Sequence, residues 1–176
     1  MLRERQWLPM ILPESSDDTN AGRARYVLGA WLIAVVPSLL YFLVLICVGA
    51  DTLRPTRALD AVHAAYSVLA APVLETALMF PVAFVLARMI PRQPWVRIIL
   101  LAALGTLAHR IGGSWEQAFA GFWPFLVYSV TLNAWLRRSK KAAFALTSLV
   151  HALYNATFFG IGALGILITD PVTRAL

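Results

Sequence analysis

Five long apolar runs dominate the sequence, at residues 26–48, 61–86, 95–111, 118–136 and 142–169. A helix rises about 1.5 Å per residue, so about 20 apolar residues cross the hydrocarbon core of a bilayer, which is about 30 Å thick. In lipid every backbone N–H and C=O group must be hydrogen-bonded within the protein, and runs of this length achieve this as helices. The sequence therefore predicts an all-α integral membrane protein, a bundle of about five transmembrane helices.

The composition supports membrane insertion. Hydrophobic residues make up 60% of the chain and charged residues 14%, with a mean hydropathy of +0.71, whereas soluble domains are about 45–50% apolar and about 25% charged. The net charge of +6 does not indicate nucleic acid, because the basic residues lie between the apolar runs, where they set topology. With one cysteine, Cys47, no internal disulfide can form.

The polar segments define the predicted organisation. Residues 1–25 are predicted to form a polar cytoplasmic N-terminal segment, residues 26–169 a transmembrane helical domain, and residues 170–176 a short tail. Eleven of the 15 Lys and Arg residues fall on the side that the N-terminus shares with the second and fourth loops. Basic residues favour the cytoplasmic side, so we expect the N-terminus inside and the C-terminus outside.

Two local features carry further expectations. Pro37 lies inside the first run, where it removes a backbone hydrogen bond, and a neighbouring helix is expected to satisfy the freed carbonyl. The last run is longer than one crossing needs, so we expect it to tilt or to break near residues 160–165. The glycines of that stretch are predicted to allow close approach of another helix.

Four polar side chains lie within the apolar runs: Glu75, His109, His151 and Asn155. At 1.5 Å per residue they lie roughly 20, 18, 15 and 21 Å from the basic residues that flank their spans, so all four share one level near the midplane. His151 and Asn155 are spaced i, i+4 and share one helical face. A carboxylate at the bilayer centre costs about 2.5–3.5 kcal/mol, so Glu75 must face a partner or a cavity.

Two interpretations of this cluster remain open. In the structural one, Glu75 pairs with a histidine and holds helices together. In the catalytic one, Glu75 takes and returns a proton as a general base, while His151 and Asn155 supply N–H donors to a developing oxyanion. The reaction that requires both functions is the attack of water on an amide carbonyl.

The same residues resemble a known family. Glu75, His109 and His151-x-x-x-Asn155 are similar to the three motifs of the CAAX protease and bacteriocin-processing (CPBP) family, which includes the type II CAAX prenyl endopeptidases. Those motifs read Glu-Glu-x-x-x-Arg, Phe-x-x-x-His and His-x-x-x-Asn, each on its own transmembrane helix. The chain departs from them at three supporting positions, which carry Thr76, Phe80 and Gly105, and it therefore resembles a divergent member.

The resemblance implies a role for each matching residue. Glu75 would activate water, His109 would help to hold that water, and His151 with Asn155 would stabilise the oxyanion. We accordingly expect a glutamate-type intramembrane endopeptidase that requires no cofactor and no metal. Its partners would be the lipid bilayer and a membrane-anchored or membrane-proximal peptide or protein substrate, and its location a prokaryotic inner (plasma) membrane.

Three alternatives remain. The first is a non-catalytic immunity or partner-binding protein of the same fold, since the supporting residues of the first motif are missing. The second is a small proton-coupled transporter that uses Glu75 and the histidines as a relay. The third is a zinc-dependent peptidase, because two His and one Glu also form a catalytic zinc set, although no His-Glu-x-x-His helix is present.

Overall fold

The computed structural model describes residues 19–47, 64–112 and 115–169, and within these ranges the chain is helical apart from short turns. The helices are α1 (Asn20–Cys47), α2 (Ala71–Met89), α3 (Pro94–Gly112), α4 (Trp115–Leu136) and α5 (Lys140–Thr169). In the same ranges five helices are long and apolar enough to cross a membrane, with mean hydropathies between 1.2 and 2.3. The predicted all-α architecture is confirmed, and so is the expected number of about five helices that are long and apolar enough to span a membrane.

Helix α1 begins earlier than residue 26, where the first apolar run starts. Thr19 precedes the helix, and its Oγ1 accepts a hydrogen bond of 3.1 Å from the backbone N–H of Gly22. A threonine in this position satisfies one of the unpaired N–H groups of the first turn, so the helix can start at Asn20. Most of the predicted polar segment, and the tail at residues 170–176, lie outside the described residues.

Helix α2 is preceded by a π-helical turn, Tyr66–Ala70, in which the N–H of Ala71 donates to the carbonyl of Tyr66. Pro72 follows directly. Proline has no N–H and its ring clashes with the carbonyl four residues earlier. A wider turn in front of Pro72 relieves that clash, and π turns often occur where a helix carries a functional residue. Glu75 lies three residues beyond this proline.

Helix α4 is the centre of the bundle and contacts the other four helices. Its largest fully buried side chains are Trp135, Tyr128 and Leu132. Trp135 packs edge-on against Tyr26 of α1, with ring centroids 5.5 Å apart. The other helices expose most of their apolar surface, as helices facing lipid do, so α4 fixes the position of the elements around it.

The expectation for Pro37 is confirmed. Proline at 37 leaves the carbonyl of Ile33 without its helical donor. The indole Nε1–H of Trp123 on α4 donates to that carbonyl at 2.7 Å. The freed group is therefore satisfied across a helix–helix contact, and the proline becomes a point of attachment between α1 and α4.

The expected break near residues 160–165 and the expected close approach of another helix at Gly160 and Gly162 are wrong, whereas a tilt of this helix in the membrane stays a prediction. Helix α5 runs without a break from Lys140 to Thr169. A Cβ atom added at Gly160 or Gly162 would have no neighbouring atom within 4 Å, so no other helix of the described chain approaches closely there. Helix α5 is held to α1 further toward its start, where Tyr154 donates its hydroxyl to Ser38 Oγ at 3.2 Å.

Candidate active site

Glu75 meets both predicted histidines inside the bundle. Its Oε2 lies 3.6 Å from Nε2 of His151 and 3.9 Å from Nε2 of His109. Glu75 lies on α2, His109 on α3 and His151 on α5. Three separate helices therefore meet at one carboxyl oxygen. Oε2 is enclosed and accepts no hydrogen bond from any described residue. The carboxyl is therefore held within reach of two imidazoles and keeps its acceptor capacity for another group.

His109 presents a defined ring atom to this carboxyl. Its Nδ1 lies 3.2 Å from the carbonyl of Gly105, one turn earlier on α3. A carbonyl only accepts hydrogen bonds, so Nδ1 is the ring atom that carries hydrogen in this contact. In the neutral imidazole Nε2 is then an acceptor facing Glu75. A water molecule that donates one hydrogen to each atom would satisfy both and leave its lone pairs free.

His151 is the enclosed member of the cluster, with 5% of its side chain exposed against 43% for His109. Its ring stacks on Tyr128 of α4, with centroids 4.3 Å apart and planes inclined by 24°. Stacking of this kind fixes the plane of the imidazole, and it keeps Nε2 directed at Glu75. Ser148, one turn before His151, is also buried.

Asn155 lies one turn beyond His151, and its hydrogen bond is not to Glu75. Its Nδ2 donates to the backbone carbonyl of Ser67 at 2.8 Å, in the π turn that precedes α2. One of the two N–H donors of the amide therefore attaches α5 to α2. The second donor is the one that remains for the oxyanion role implied by the resemblance.

A cavity of about 200 Å³ lies beside the carboxyl, between α2, α3 and α4. Among the described residues that line it, Glu75 and His109 are ionisable, and the rest of the wall is Leu78, Met79, Val82, Leu101, Leu104, Gly105, Ala108 and Phe125. Leu78 and Leu104 are exposed at its rim, so the cavity opens between α2 and α3 toward the apolar surface. An apolar group can thus reach Glu75 and His109 from the side.

The structure shows the surroundings of the three residues that differ from the motifs of the resembled family. Thr76 is fully buried in the bundle, and Phe80 packs against Phe144 of α5, with centroids 6.3 Å apart. Neither position supplies a second charge near Glu75. At Gly105 there is no room for a side chain, because the ring of Phe125 lies against it.

Aromatic residues around the histidines were not predicted from the sequence. Phe125 and Tyr128 on α4 contact both the cluster and each other, with centroids 5.6 Å apart. In an apolar run an aromatic residue has the same appearance whether it faces lipid or the bundle, so composition and spacing contain no signal for them.

Among the described residues, no group of three His, Cys, Asp or Glu side chains has the arrangement of a metal site. No protein-family model matches the chain, and comparisons with curated proteins and with solved structures give no match. The assignment of function therefore depends on the residues and geometry described above.

Proposed function

We propose that this protein is a glutamate-type intramembrane endopeptidase, which hydrolyses a peptide bond in a membrane-anchored or membrane-proximal substrate. The observation that carries the proposal is the enclosed Glu75 Oε2, which lies within 4 Å of Nε2 of both histidines. Ionisable groups within membrane spans are costly and usually mark functional sites. Here two histidines on two other helices flank one oxygen atom of Glu75, beside a cavity that is open to an apolar substrate.

The proposed reaction assigns a role to each of the four groups. Water held by Glu75 and His109 loses a proton to Glu75 as its oxygen bonds to the carbonyl carbon of the substrate. The carbonyl oxygen becomes an oxyanion, which accepts hydrogen bonds from His151 and from the remaining N–H of Asn155. Glu75 then returns the proton to the leaving nitrogen as the C–N bond breaks, which yields a carboxyl group and an amine.

The cavity supports an apolar substrate. A cavity of about 150 Å³ lined by apolar side chains holds a benzene molecule, so about 200 Å³ accommodates a large apolar side chain or a short alkyl segment. Such a group, bound between α2 and α3, would place the adjoining peptide bond next to Glu75. Water-excluding walls would also strengthen the electrostatic interactions of the cluster.

The proposal includes a location and an orientation. The protein would lie in a prokaryotic inner (plasma) membrane, with the N-terminus inside and the C-terminus outside. The distribution of Lys and Arg supports this orientation, and the family resemblance supports the location.

The direct test uses purified protein in lipid vesicles with a library of lipid-anchored and single-span peptides, and detects products by mass spectrometry. We expect new termini with the native protein and a loss of about 10²–10⁴-fold, the usual contribution of a general base, in Glu75→Gln. His151→Ala should lose activity as well. Glu116→Gln, the same change in the first turn of α4, is the matched control and should cleave normally.

Two results would replace the proposal. Cleavage by Glu75→Gln at the native rate would remove the carboxyl from the reaction. Activity that disappears with a chelator and returns with Zn²⁺ would instead assign the cluster to a metal-dependent reaction.

A non-catalytic binding protein is the second candidate, and one observation favours it. Thr76 is buried and Phe80 packs against Phe144. Residues 76 and 80 therefore supply neither a second acid nor a guanidinium to support Glu75. If this candidate is correct, no peptide of the library is cleaved. A partner recovered with the native protein would then also be recovered with Glu75→Gln.

A further inference from the structure

The ring of Phe125 lies between the two histidines of the site. Phe125 is on α4 and is 4% exposed. Its centroid is 4.9 Å from that of His109, with planes inclined by 64°, and 6.0 Å from that of His151, with planes inclined by 71°. Both contacts are edge-to-face, within the distance range in which such pairs attract. One aromatic ring thus contacts both imidazoles.

Gly105 accommodates this ring. A Cβ atom at residue 105 would lie less than 3.0 Å from three carbons of the Phe125 ring, which is closer than such atoms can approach. The displacement would be of the ring, because the backbone of α3 is fixed by its helical hydrogen bonds. The same glycine accepts the Nδ1–H of His109 through its carbonyl. Because residue 105 has no side chain, the ring of Phe125 can lie against Gly105 while His109 donates to the carbonyl of the same residue.

Little else restrains His109. Its side chain is 43% exposed, and among the described residues it contacts the carbonyl of Gly105 and the ring of Phe125, with the Glu75 carboxyl 3.9 Å away. Without the ring, the imidazole would rotate about its side-chain bonds toward the open cavity. His151 would keep its stack on Tyr128 but would lose its edge-to-face contact with Phe125.

We propose that Phe125 is the positioning residue that holds both imidazoles against Glu75, and that residue 105 is glycine because this ring occupies the space of its side chain. The functional part of this inference rests on the proposed peptidase activity. Phe125 does not itself react. It acts through the two histidines, whose displacement by about 1 Å is enough to lower a reaction rate by about 10²-fold.

A double-mutant cycle tests the coupling between the two positions. Gly105→Ala should lower the rate of peptide cleavage at least about 10-fold, since a misplacement of about 1 Å can lower a rate about 10²-fold. Phe125→Leu should lower it too, because the contacts with the imidazoles are lost. In the Phe125→Leu background, Gly105→Ala should have little further effect, because the flexible leucine leaves room for the methyl group.

A matched control distinguishes the displacement of the Phe125 ring by Gly105→Ala from a general effect of replacing a helical glycine by alanine. Gly121 lies on α4 against the same ring, and a Cβ there would be 3.8 Å from it, an ordinary contact. Gly121→Ala should therefore cleave like the native protein. Additive effects of Gly105→Ala and Phe125→Leu, or equal activity of Gly105→Ala and Gly121→Ala, would overturn the proposal.

A second measurement does not require activity. The chain has three histidines, so histidine-selective isotope labelling gives three ring signals in the nuclear magnetic resonance spectrum of the full chain in detergent. Gly105→Ala adds no aromatic group, yet it should move the signals of both His109 and His151. Movement of His109 alone, or of neither, would contradict the shared positioning role.

The two proposals fail in different ways. If the native protein cleaves no peptide but the two histidine signals move together, the positioning role stands and the peptidase does not. If cleavage depends on Glu75 but the cycle is additive, the peptidase stands and the positioning role does not. Circular dichroism before each assay shows which variants fold, and Phe125→Leu introduces no clash if Gly105→Ala proves unstable.

Discussion

The contacts of Glu75 are suited to holding a small molecule rather than to closing an ion pair. Separations of 3.6 and 3.9 Å exceed the 2.7–3.2 Å of a direct N–H···O hydrogen bond. They are short enough for one water molecule beside them to reach the carboxyl and an imidazole together. A purely structural pair would gain more from direct contact, because burying a charge without hydrogen bonds is costly. The open geometry is the residue-level argument for a reactive site.

Tyr128 allows the role of its hydroxyl oxygen to be tested separately from the role of its ring. Its ring stacks on His151, while its hydroxyl is buried without a hydrogen-bond partner among the described residues. An unsatisfied buried polar group costs about 1–3 kcal/mol. We expect Tyr128→Phe to keep the stack and to have an unchanged or higher melting temperature, with cleavage close to native. Tyr128→Leu, which loses the stack, should lower cleavage at least about 10-fold, as a displaced catalytic group does.

Thermal unfolding in detergent and peptide cleavage measure the two effects of Tyr128 separately. A large loss of cleavage in Tyr128→Phe at native stability would show that the hydroxyl itself contacts substrate or water. The role assigned here to the ring would then be incomplete.

At the scale of helices, proline and tryptophan form a matched pair. Pro37 frees the carbonyl of Ile33, and Trp123 supplies the missing donor at 2.7 Å. Hydrogen bonds between transmembrane helices contribute about 0.6 kcal/mol on average and up to about 1.7 kcal/mol. We expect Trp123→Phe to destabilise the native chain by an amount in this range, measured by unfolding in mixed micelles.

The Pro37→Ala background is the control for this effect. Alanine restores an N–H that donates to Ile33 within α1, so Trp123→Phe should be less destabilising there. An equal loss in both backgrounds would mean that packing of the indole, rather than its hydrogen bond, joins α1 to α4. Trp95→Phe, at a half-exposed position of α3, should have little effect in either background.

The helices and the polar cluster were open to prediction from the sequence for one physical reason. Lipid makes apolar length obligatory for a span and makes a mid-span Glu or His conspicuous, so Glu75 and the two histidines were visible as candidates. The same reasoning failed for apolar residues, because they are as stable facing lipid as they are facing the interior of the bundle. Phe125 and Tyr128 face the bundle and Gly160 faces outward, yet all three suit an apolar helix equally well.

Positions at helix ends were less predictable, because they depend on single hydrogen bonds. Thr19 starts α1 ahead of the apolar run, and the π turn before Pro72 places Ser67 against Asn155. Both follow from local backbone geometry that hydropathy does not contain. The hydrogen bond from Asn155 Nδ2 to the carbonyl of Ser67 could be found only from the structure.

At the scale of the whole molecule, the proposed five crossings would place Asn20, at the start of α1, and Thr169, at the end of α5, on opposite sides of the membrane. The orientation can be measured with the single native cysteine, since Cys47 is exposed at the end of α1. If the N-terminus is inside, Cys47 lies at the outer face. Helix α1 has 28 residues, a length of about 42 Å at 1.5 Å per residue, against about 30 Å of hydrocarbon. Its ends therefore reach the interfaces.

We expect a membrane-impermeant maleimide to label Cys47 of the native protein in intact cells or right-side-out vesicles. The comparison variant carries Cys47→Ala with Arg92→Cys, which moves the thiol to the exposed turn between α2 and α3. That thiol should react only after permeabilisation, because basic loops stay on the cytoplasmic side. Labelling in the reverse order would invert the orientation. The enclosed Glu75 and its cavity would be unaffected, because the convergence of α2, α3 and α5 does not depend on which face of the bilayer is outside.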